Sequence, residues 1–132
     1  FRHEGNQLPV IEADEEKIRQ LLNNLLNNAV KYSPSGGAID VVLMTSFDQV
    51  ILQVRDEGIG IPEQSLSRLF EKFYRVDNSD SRKIGGTGLG LAICKEIVTG
   101  HGGEIHVESV VKEGSLFTVK FPLVQSTHVT IS

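Results

Sequence analysis

Two pairs of strand-like runs, each pair joined by a short polar turn, most restrict what this chain can fold into. The first pair is "AIDVVLMT" (38–45) and "VILQVRD" (50–56), and the second is "EIHVESV" (104–110) and "SLFTVKFPL" (115–123). Runs rich in β-branched and aromatic residues, separated by polar turn residues, are typical of antiparallel hairpins. The chain is therefore expected to form a mostly antiparallel sheet, not the alternating βαβ order of a Rossmann fold.

Helical spacing appears in three other parts of the chain. After Asp14, a favourable N-cap, apolar residues recur at helical spacing as far as Tyr32; they are Ile18, Leu21, Leu22, Leu25 and Ala29. Pro62 is well placed to begin a short helix in "PEQSLSRLF". A largely apolar helix is expected over 87–98, ended by the glycines of "GHGG". Before the first helix, "LPVIEAD" (8–14) is predicted to be a short strand.

Together these elements predict an α/β fold (α+β) made of two layers, in which a mixed, mostly antiparallel sheet packs on three helices. At 132 residues the chain fits one domain, which we place over residues 1–124, with 125–132 as a tail. The run "RVDNSDSRKIGG" (75–86) is polar and has no periodicity. Loops of this length inside a compact domain are often functional, so a lid is predicted at about 75–87.

Composition excludes some classes of protein. A net charge of −4 argues against a nucleic-acid partner. No apolar run approaches the roughly 20 residues of a membrane span. The single Cys94 cannot form an internal disulfide, which favours a reducing, cytosolic compartment. The opening "FRHEGNQ" looks like the cut end of a longer protein.

The first helix carries a stripe of polar side chains beside its apolar face. Asn24, Asn28 and Lys31 follow one another at helical spacing, and Asn28 lies nearest the apolar boundary. Such a stripe is often only a solvated face. Alternatively, the carboxamide oxygen of Asn28 binds a hard cation, and Lys31 faces the phosphates that share it.

The motif "DEGIGIP" begins at the end of "VILQVRD", the second run of the first predicted hairpin. Asp56 ends an apolar strand, and Gly58 and Gly60 allow the backbone to turn tightly against a close neighbour. A plain strand-to-helix turn has the same composition. A carboxylate at this point can also accept a hydrogen bond from an exocyclic amine, which distinguishes adenine from guanine.

The motif "GGTGLGL" (85–91) lacks the Lys-Ser/Thr ending of a P-loop and does not follow a strand as a dinucleotide-binding fingerprint does. It is either a flexible turn or a glycine loop that brings free backbone N–H groups to a helix N-terminus, which is an anion site.

The order of these motifs resembles that of the catalytic, ATP-binding domain of sensor histidine kinases, which has a Bergerat-type fold. Asn28 with Lys31, then "DEGIG", "LFEKFYR" (69–75) and "GGTGLGL" are similar to the N, first glycine, F and second glycine boxes of that family. The resemblance extends from about Val10 to Leu123 and includes "HGG" (101–103) and "EGSLFTV" (113–119).

The resemblance implies that ATP and Mg²⁺ are the cofactors. It implies that Asn28 holds the metal with Asn24 assisting, and that Asp56 accepts from the adenine amine while Gly58 and Gly60 let the base lie against the backbone. The other implied site residues are Lys31 at the phosphates, Tyr32, Ile61 and Leu91 at the adenine pocket, Gly86, Thr87, Gly88, Leu89 and Gly90 in the phosphate loop, Arg75 or Arg82 at the γ-phosphate, and Thr118 beside the adenine.

The F box and the histidines have structural alternatives. Phe70 and Phe73 are expected to pack under the lid, and the resemblance adds a role in docking the partner domain. His101 is expected to cap the third helix and His106 to lie in a strand. His3 is not expected to be a phosphoacceptor, because "FRHEG" lacks the surrounding helical hairpin of the family's acceptor motif.

The implied function is transfer of the γ-phosphoryl group of ATP to a histidine on a separate dimerisation and phosphoacceptor domain. A response regulator is the indirect partner. The isolated domain is expected to be a monomer, and the parent protein a homodimer anchored in a membrane with this domain in the cytoplasm. Gyrase, mismatch-repair proteins and heat-shock chaperones have a water-activating Glu one turn before the metal Asn, where this chain has Asn24, so little hydrolysis is expected. The alternatives are an ATP-hydrolysing protein of the same fold and a non-catalytic nucleotide-binding module.

Overall fold

A computed structural model describes residues 2–3, 14–74 and 89–122. In these ranges the chain forms, in order, β1 (Arg2–His3), α1 (Glu15–Lys31), β2 (Ile39–Thr45), β3 (Gln49–Asp56), α2 (Glu63–Leu66), α3 (Gly90–Gly100), β4 (Glu104–Val110) and β5 (Gly114–Pro122). The predicted lid at 75–87, the tail at 125–132 and all of the predicted strand at 8–14 except Asp14 lie outside the described residues.

The described strands form one sheet in the order β1-β2-β3-β5-β4. β1 pairs with β2 in parallel, and the remaining neighbours pair antiparallel. Both predicted hairpins are present, as β2–β3 and β4–β5. The prediction of a mixed, mostly antiparallel sheet is therefore confirmed, although the short β1 was not predicted.

Helix α1 begins at the residue that its sequence indicates. The Asp14 side chain accepts hydrogen bonds from the backbone N–H groups of Glu16 (3.0 Å) and Lys17 (3.3 Å), which otherwise have no partner inside the helix. Glu15 and Glu16 add negative charge at the positive end of the helix dipole.

The core lies between the helices and one face of the sheet. From α1 it receives Leu21, Leu25 and Ala29, which lie at helical spacing. From α3 and the sheet it receives mainly Cys94, Val98, Val54, Phe117 and Val119. Every second residue of β5 from Ser115 to Phe121 is buried, because alternate side chains of a strand point to one face. This arrangement confirms the two-layer prediction.

The ends of α2 and α3 differ from the sequence prediction. α2 stops at Leu66, because the following N–H groups of Arg68, Leu69 and Glu71 bond to the carbonyl three residues earlier and form tight turns instead of a helix. α3 begins at Gly90 with Leu89 as its N-cap, not at Thr87.

His101 closes α3 and ties it to α1. Its Nδ1–H donates to the Ile97 carbonyl (2.7 Å), and its Nε2 accepts from the Asp14 N–H (3.0 Å). These contacts require the tautomer with hydrogen on Nδ1. The predicted capping role of His101 is confirmed, as is the position of His106 in β4. None of the described helices is long and apolar enough to cross a membrane.

Candidate functional site

Asp56, the last residue of β3, is a buried carboxylate at one end of the sheet. It is 3% exposed, and its Oδ1 accepts a hydrogen bond from the Gly58 N–H at 2.9 Å. Burial raises the pKa of Asp56 above its ordinary value, while hydrogen bonds from the backbone N–H groups of Gly58 and Ser115 act to lower it. The result is a strong hydrogen-bond acceptor held in a largely dry position.

The loop that follows Asp56 is held between the end of α1 and the β4–β5 turn. The Ile59 N–H donates to the Tyr32 carbonyl at 2.9 Å, and the Lys112 N–H donates to the Ile59 carbonyl at 2.7 Å. Backbone bonds on both sides therefore fix the position of this loop.

Gly58 and Gly60 are required by these close approaches. A Cβ at Gly58 would overlap the carbonyl oxygen of Tyr32, and one at Gly60 would overlap that of Val110. Gly60 also has φ +74°, which other residues rarely adopt. The close neighbours expected for these glycines are therefore found in the protein's own backbone, and the expectation that a base also lies against this loop stays a prediction.

Two serines complete a polar row beside Asp56. Ser115 of β5 pairs with Asp56 of β3 on one side and with Ser109 of β4 on the other. The Ser109 Oγ accepts from the Ile61 N–H at 2.7 Å and lies 2.8 Å from the Ser115 Oγ. Neither serine was predicted from the sequence to be a site residue.

Thr118 is not part of this row. It pairs with Gln53 and His106, and its Oγ1 accepts from Gln53 Nε2 at 3.4 Å. Being an odd number of residues from Ser115, it points to the opposite face of the sheet from Asp56. Thr118 therefore does not share a face with Asp56, which argues against the expectation that it lies beside the adenine. The alternation of "SLFTVKF" was the signal that could have identified Ser115, which shares its face with the buried Phe117.

The polar stripe of α1 lies against the start of α3. The Asn24 Nδ2 donates to the Gly90 carbonyl at 3.4 Å. Asn28 is half-buried, and within the described part of the chain its side chain makes no hydrogen bond; Lys31 is exposed. The Asn24 contact thus brings the polar stripe of α1, which also carries Asn28 and Lys31, against the N-terminus of α3.

The remaining predicted site residues divide into two groups. Tyr32 is the half-buried C-cap of α1, Ile61 is buried, Leu91 packs at the edge of the core and Leu89 caps α3. Outside the described residues lie Arg75, Arg82, Gly86, Thr87 and Gly88.

The two F-box phenylalanines have different environments. The Phe70 ring packs edge-on against Phe117, with centroids 6.4 Å apart, and Lys95 Nζ lies 5.7 Å from its centroid. Phe73 is 71% exposed and has φ 66°, a value unusual for a bulky residue. Phe70 therefore packs against the core and Phe73 does not, while the lid under which both were expected to pack lies outside the described residues.

The donor set around Asn28 fits a hard cation that takes few ligands from the protein. Among residues 14–74 and 89–122, no three His, Cys, Asp or Glu side chains are grouped so as to hold a metal. Mg²⁺ is commonly bound by one or two protein oxygens together with substrate phosphates and water. The half-buried oxygen of Asn28, which has no hydrogen-bond partner among the described residues, is suited to that arrangement.

Comparison with known proteins identifies the family of this chain. Residues 13–125 match the family model described as histidine kinase-, DNA gyrase B-, and HSP90-like ATPase. The chain is 46% identical over 114 residues to the sensor histidine kinase WalK of Bacillus subtilis, covering 85% of this chain and 19% of that protein.

Solved structures give the same result. The mycobacterial sensor histidine kinase MprB superposes with a TM-score of 0.77 at 33% identity, covering 86% of this chain and 76% of that one. Full-length ShkA in complex with AMPPNP superposes with a TM-score of 0.76 at 32% identity, covering 90% of this chain and 24% of that one.

The chain therefore belongs to the family of histidine kinase-, DNA gyrase B- and HSP90-like ATPases. Its matched relatives include sensor histidine kinases, and its structural neighbours include their catalytic domains, which confirms the predicted family and fold. The chain spans about a fifth of the length of the curated relatives it matches.

Proposed function

We propose that this domain binds ATP with Mg²⁺ and donates the γ-phosphoryl group to a histidine on a separate domain. The observation that carries the proposal is the contact of Asn24 with Gly90, which brings the polar stripe of α1 that includes Asn28 against the start of α3, on the same domain as the buried acceptor Asp56. Family membership supports it, as does the nucleotide analogue bound by the similar protein ShkA.

Asp56 recognises the adenine end of the nucleotide. Its carboxylate accepts a hydrogen bond from the exocyclic amine. Guanine has a carbonyl oxygen at that position, so two acceptors would face each other and the buried carboxylate would lose its partner. Tyr32, Ile61 and Leu91 form the walls around the base.

The phosphates lie at the other end, near the start of α3. Asn28 holds the cation, which when bound neutralises phosphate charge. Lys31 contributes a positive charge one turn further along α1. The N–H groups of Leu89 and Gly90, with those of Gly86, Thr87 and Gly88, meet the phosphates at the helix N-terminus. Arg75 or Arg82 reaches the γ-phosphate.

The chemistry requires positioning and charge neutralisation more than a strong base. A neutral imidazole is already a nucleophile, so the acceptor histidine needs little activation. Asn24 lies where hydrolysing relatives have glutamate, and its carboxamide nitrogen is engaged by the Gly90 carbonyl. Because a carboxamide cannot take up a proton from water, hydrolysis by this domain is slow.

The acceptor histidine belongs to the parent protein's own dimerisation hairpin, and the exposed Phe73 is part of the surface that docks it. The phosphoryl group then passes to a response regulator. The parent protein is a homodimeric sensor kinase anchored in a membrane, with this domain in the cytoplasm.

The test replaces Asn28 and measures transfer to a supplied hairpin domain. Asn28→Ala is expected to reduce phosphorylation of the histidine at least 100-fold, because the cation loses its protein ligand. Asn27→Ala, a change at an exposed neighbouring position of α1, is the matched control and retains transfer.

If Asn28→Ala phosphorylated the histidine at the wild-type rate, the assignment of Asn28 as the metal ligand would be wrong. Failure of the unmutated domain to show a thermal shift with ATP and Mg²⁺ would favour a non-catalytic module. Steady release of phosphate without any histidine partner would favour an ATP-hydrolysing protein.

A further inference from the structure

A row of three polar side chains crosses the sheet at its Asp56 end. Asp56 of β3, Ser115 of β5 and Ser109 of β4 are paired directly across neighbouring strands. Directly paired side chains point to the same face of a sheet. That face is the helix-packed one, and Asp56 and Ser115 are only 3% and 5% exposed.

The hydroxyl of Ser109 makes as many hydrogen bonds as a serine can. Its Oγ accepts from the Ile61 N–H (2.7 Å), donates to the Gly114 carbonyl (2.9 Å) and contacts the Ser115 Oγ (2.8 Å). A serine hydroxyl has one hydrogen and two lone pairs, so these three contacts use all of them.

The direction of the Ser115 hydroxyl follows from this count. The contact between the Ser109 Oγ and the Gly114 carbonyl joins two oxygens, and only Ser109 has a hydrogen to place there. The hydrogen in the contact between the two serines must then come from Ser115. Ser115 is left with only lone pairs for any other partner.

We propose that Ser109 is a positioning residue that sets the base preference of the adenine site. By accepting the hydrogen of Ser115, it keeps the Ser115 oxygen an acceptor next to the Asp56 carboxylate. Two adjacent acceptors suit an exocyclic amine and repel a carbonyl oxygen in the same place. Ser109 itself touches no nucleotide in this arrangement. The inference rests on the proposed binding of ATP.

The experiment measures the dissociation constants of ATP and GTP, with Mg²⁺, for the folded domain. In Ser109→Ala the Ser115 hydroxyl is free to rotate and to donate to the carbonyl of guanine. The preference for ATP over GTP is expected to fall about tenfold, the usual effect of gaining or losing one hydrogen bond in a binding site.

The double variant separates this effect from general damage to the loop. The double variant, Ser109→Ala with Ser115→Ala, has no hydroxyl left to donate. Its preference for ATP over GTP is therefore expected to be stronger than that of Ser109→Ala alone. It is expected to equal the preference of Ser115→Ala alone. Ser109→Thr keeps the hydroxyl and is expected to keep the wild-type preference. If the only effect of Ser109→Ala were loss of the hydrogen bond from the Ile61 N–H, the affinities for ATP and GTP would fall together. Adding Ser115→Ala would then not restore the preference for ATP.

An unchanged preference in Ser109→Ala, or a double variant as unselective as Ser109→Ala, would overturn the inference. Should the alanine variant not fold, Ser109→Cys replaces it, because a thiol fills the space but is a weak acceptor, and the same fall is expected. A wild-type domain that binds neither nucleotide would contradict the proposed function. A wild type that prefers ATP, with no change in Ser109→Ala, would contradict this inference alone.

Discussion

At the scale of single residues, the same amino acid serves different physical needs at different positions. Gly58 is required because the Tyr32 carbonyl occupies the space of a side chain. Gly90 has no such neighbour, since nothing described lies within 4 Å of where its Cβ would be. The glycine at position 90 is therefore not explained by packing of the described chain, which is consistent with close approach of a ligand.

This difference gives a prediction for Gly90. Gly90→Ala is expected to stabilise the unliganded domain by about 0.5 kcal/mol, because alanine favours helix, and to weaken ATP binding about tenfold or more. Gly100→Ala is the matched control at the other end of α3, where the space is equally open. It is expected to change stability similarly and to leave ATP affinity unaltered, as measured by thermal unfolding and titration. Equal ATP affinity in both variants would remove Gly90 from the phosphate site.

At the scale of elements, the site depends on how α1 and α3 are joined. Asn24 links the middle of α1 to the first residue of α3, and His101 links the last turn of α3 to the beginning of α1. The two contacts lie near opposite ends of α3. They hold the helix N-terminus at a constant distance from the stripe that carries Asn28.

The turns after α2 present an exposed phenylalanine, which allows a prediction about docking. Phe73→Ala is expected to leave the unfolding temperature within about 2 °C of wild type, because an exposed ring contributes little to stability. Transfer to a supplied hairpin domain is expected to fall at least tenfold, while ATP affinity is unchanged. Phe47→Ala, which removes a 99% exposed ring at the β2–β3 turn, is the control and retains transfer. Equal transfer by the two variants would exclude Phe73 from the docking surface.

At the scale of the whole molecule, the core buries the only cysteine of the chain, Cys94. Cys94 is fully buried between α3 and α1, with its Sγ 3.9 Å from the Leu21 carbonyl. Burial raises the pKa of the Cys94 thiol to about 12 from an ordinary 9.0, because the thiolate would lose its hydration. Cys94 therefore reports on unfolding of the entire domain.

Two results are expected from Cys94. At pH 8 the native thiol reacts with iodoacetamide at least 100-fold more slowly than in urea, because it must first be exposed. The folded state also favours the protonated thiol, so its contribution to stability is complete below pH 9 and is lost as pH rises from about 9 towards 12. Above pH 9 the free energy of unfolding should therefore fall less steeply with rising pH in Cys94→Ala than in wild type. Rapid native alkylation would show that the core opens locally around α3.

Much of the architecture could be predicted because it depends on local patterns. Asp14 was recognisable as an N-cap, the apolar spacing of α1 as helical and the two hairpins as antiparallel, since caps and the periods of 3.6 and 2 need only neighbouring residues. The order of the motifs that contain Asn28 and Asp56 could also be recognised in the sequence. That order indicated the family that the comparisons confirmed.

What the tertiary structure alone decided is which residues meet. The register of β3, β5 and β4 aligns Asp56 with Ser115 and Ser109 and turns Thr118 to the other face. The approach of the α1 end and of the β4–β5 turn explains the glycines after Asp56. These contacts join residues far apart in the chain, and a shift of one residue would exchange the two faces of a strand, so no local pattern specifies them. Sequence by itself determined the elements and the family, and the pairing of distant strands determined the site.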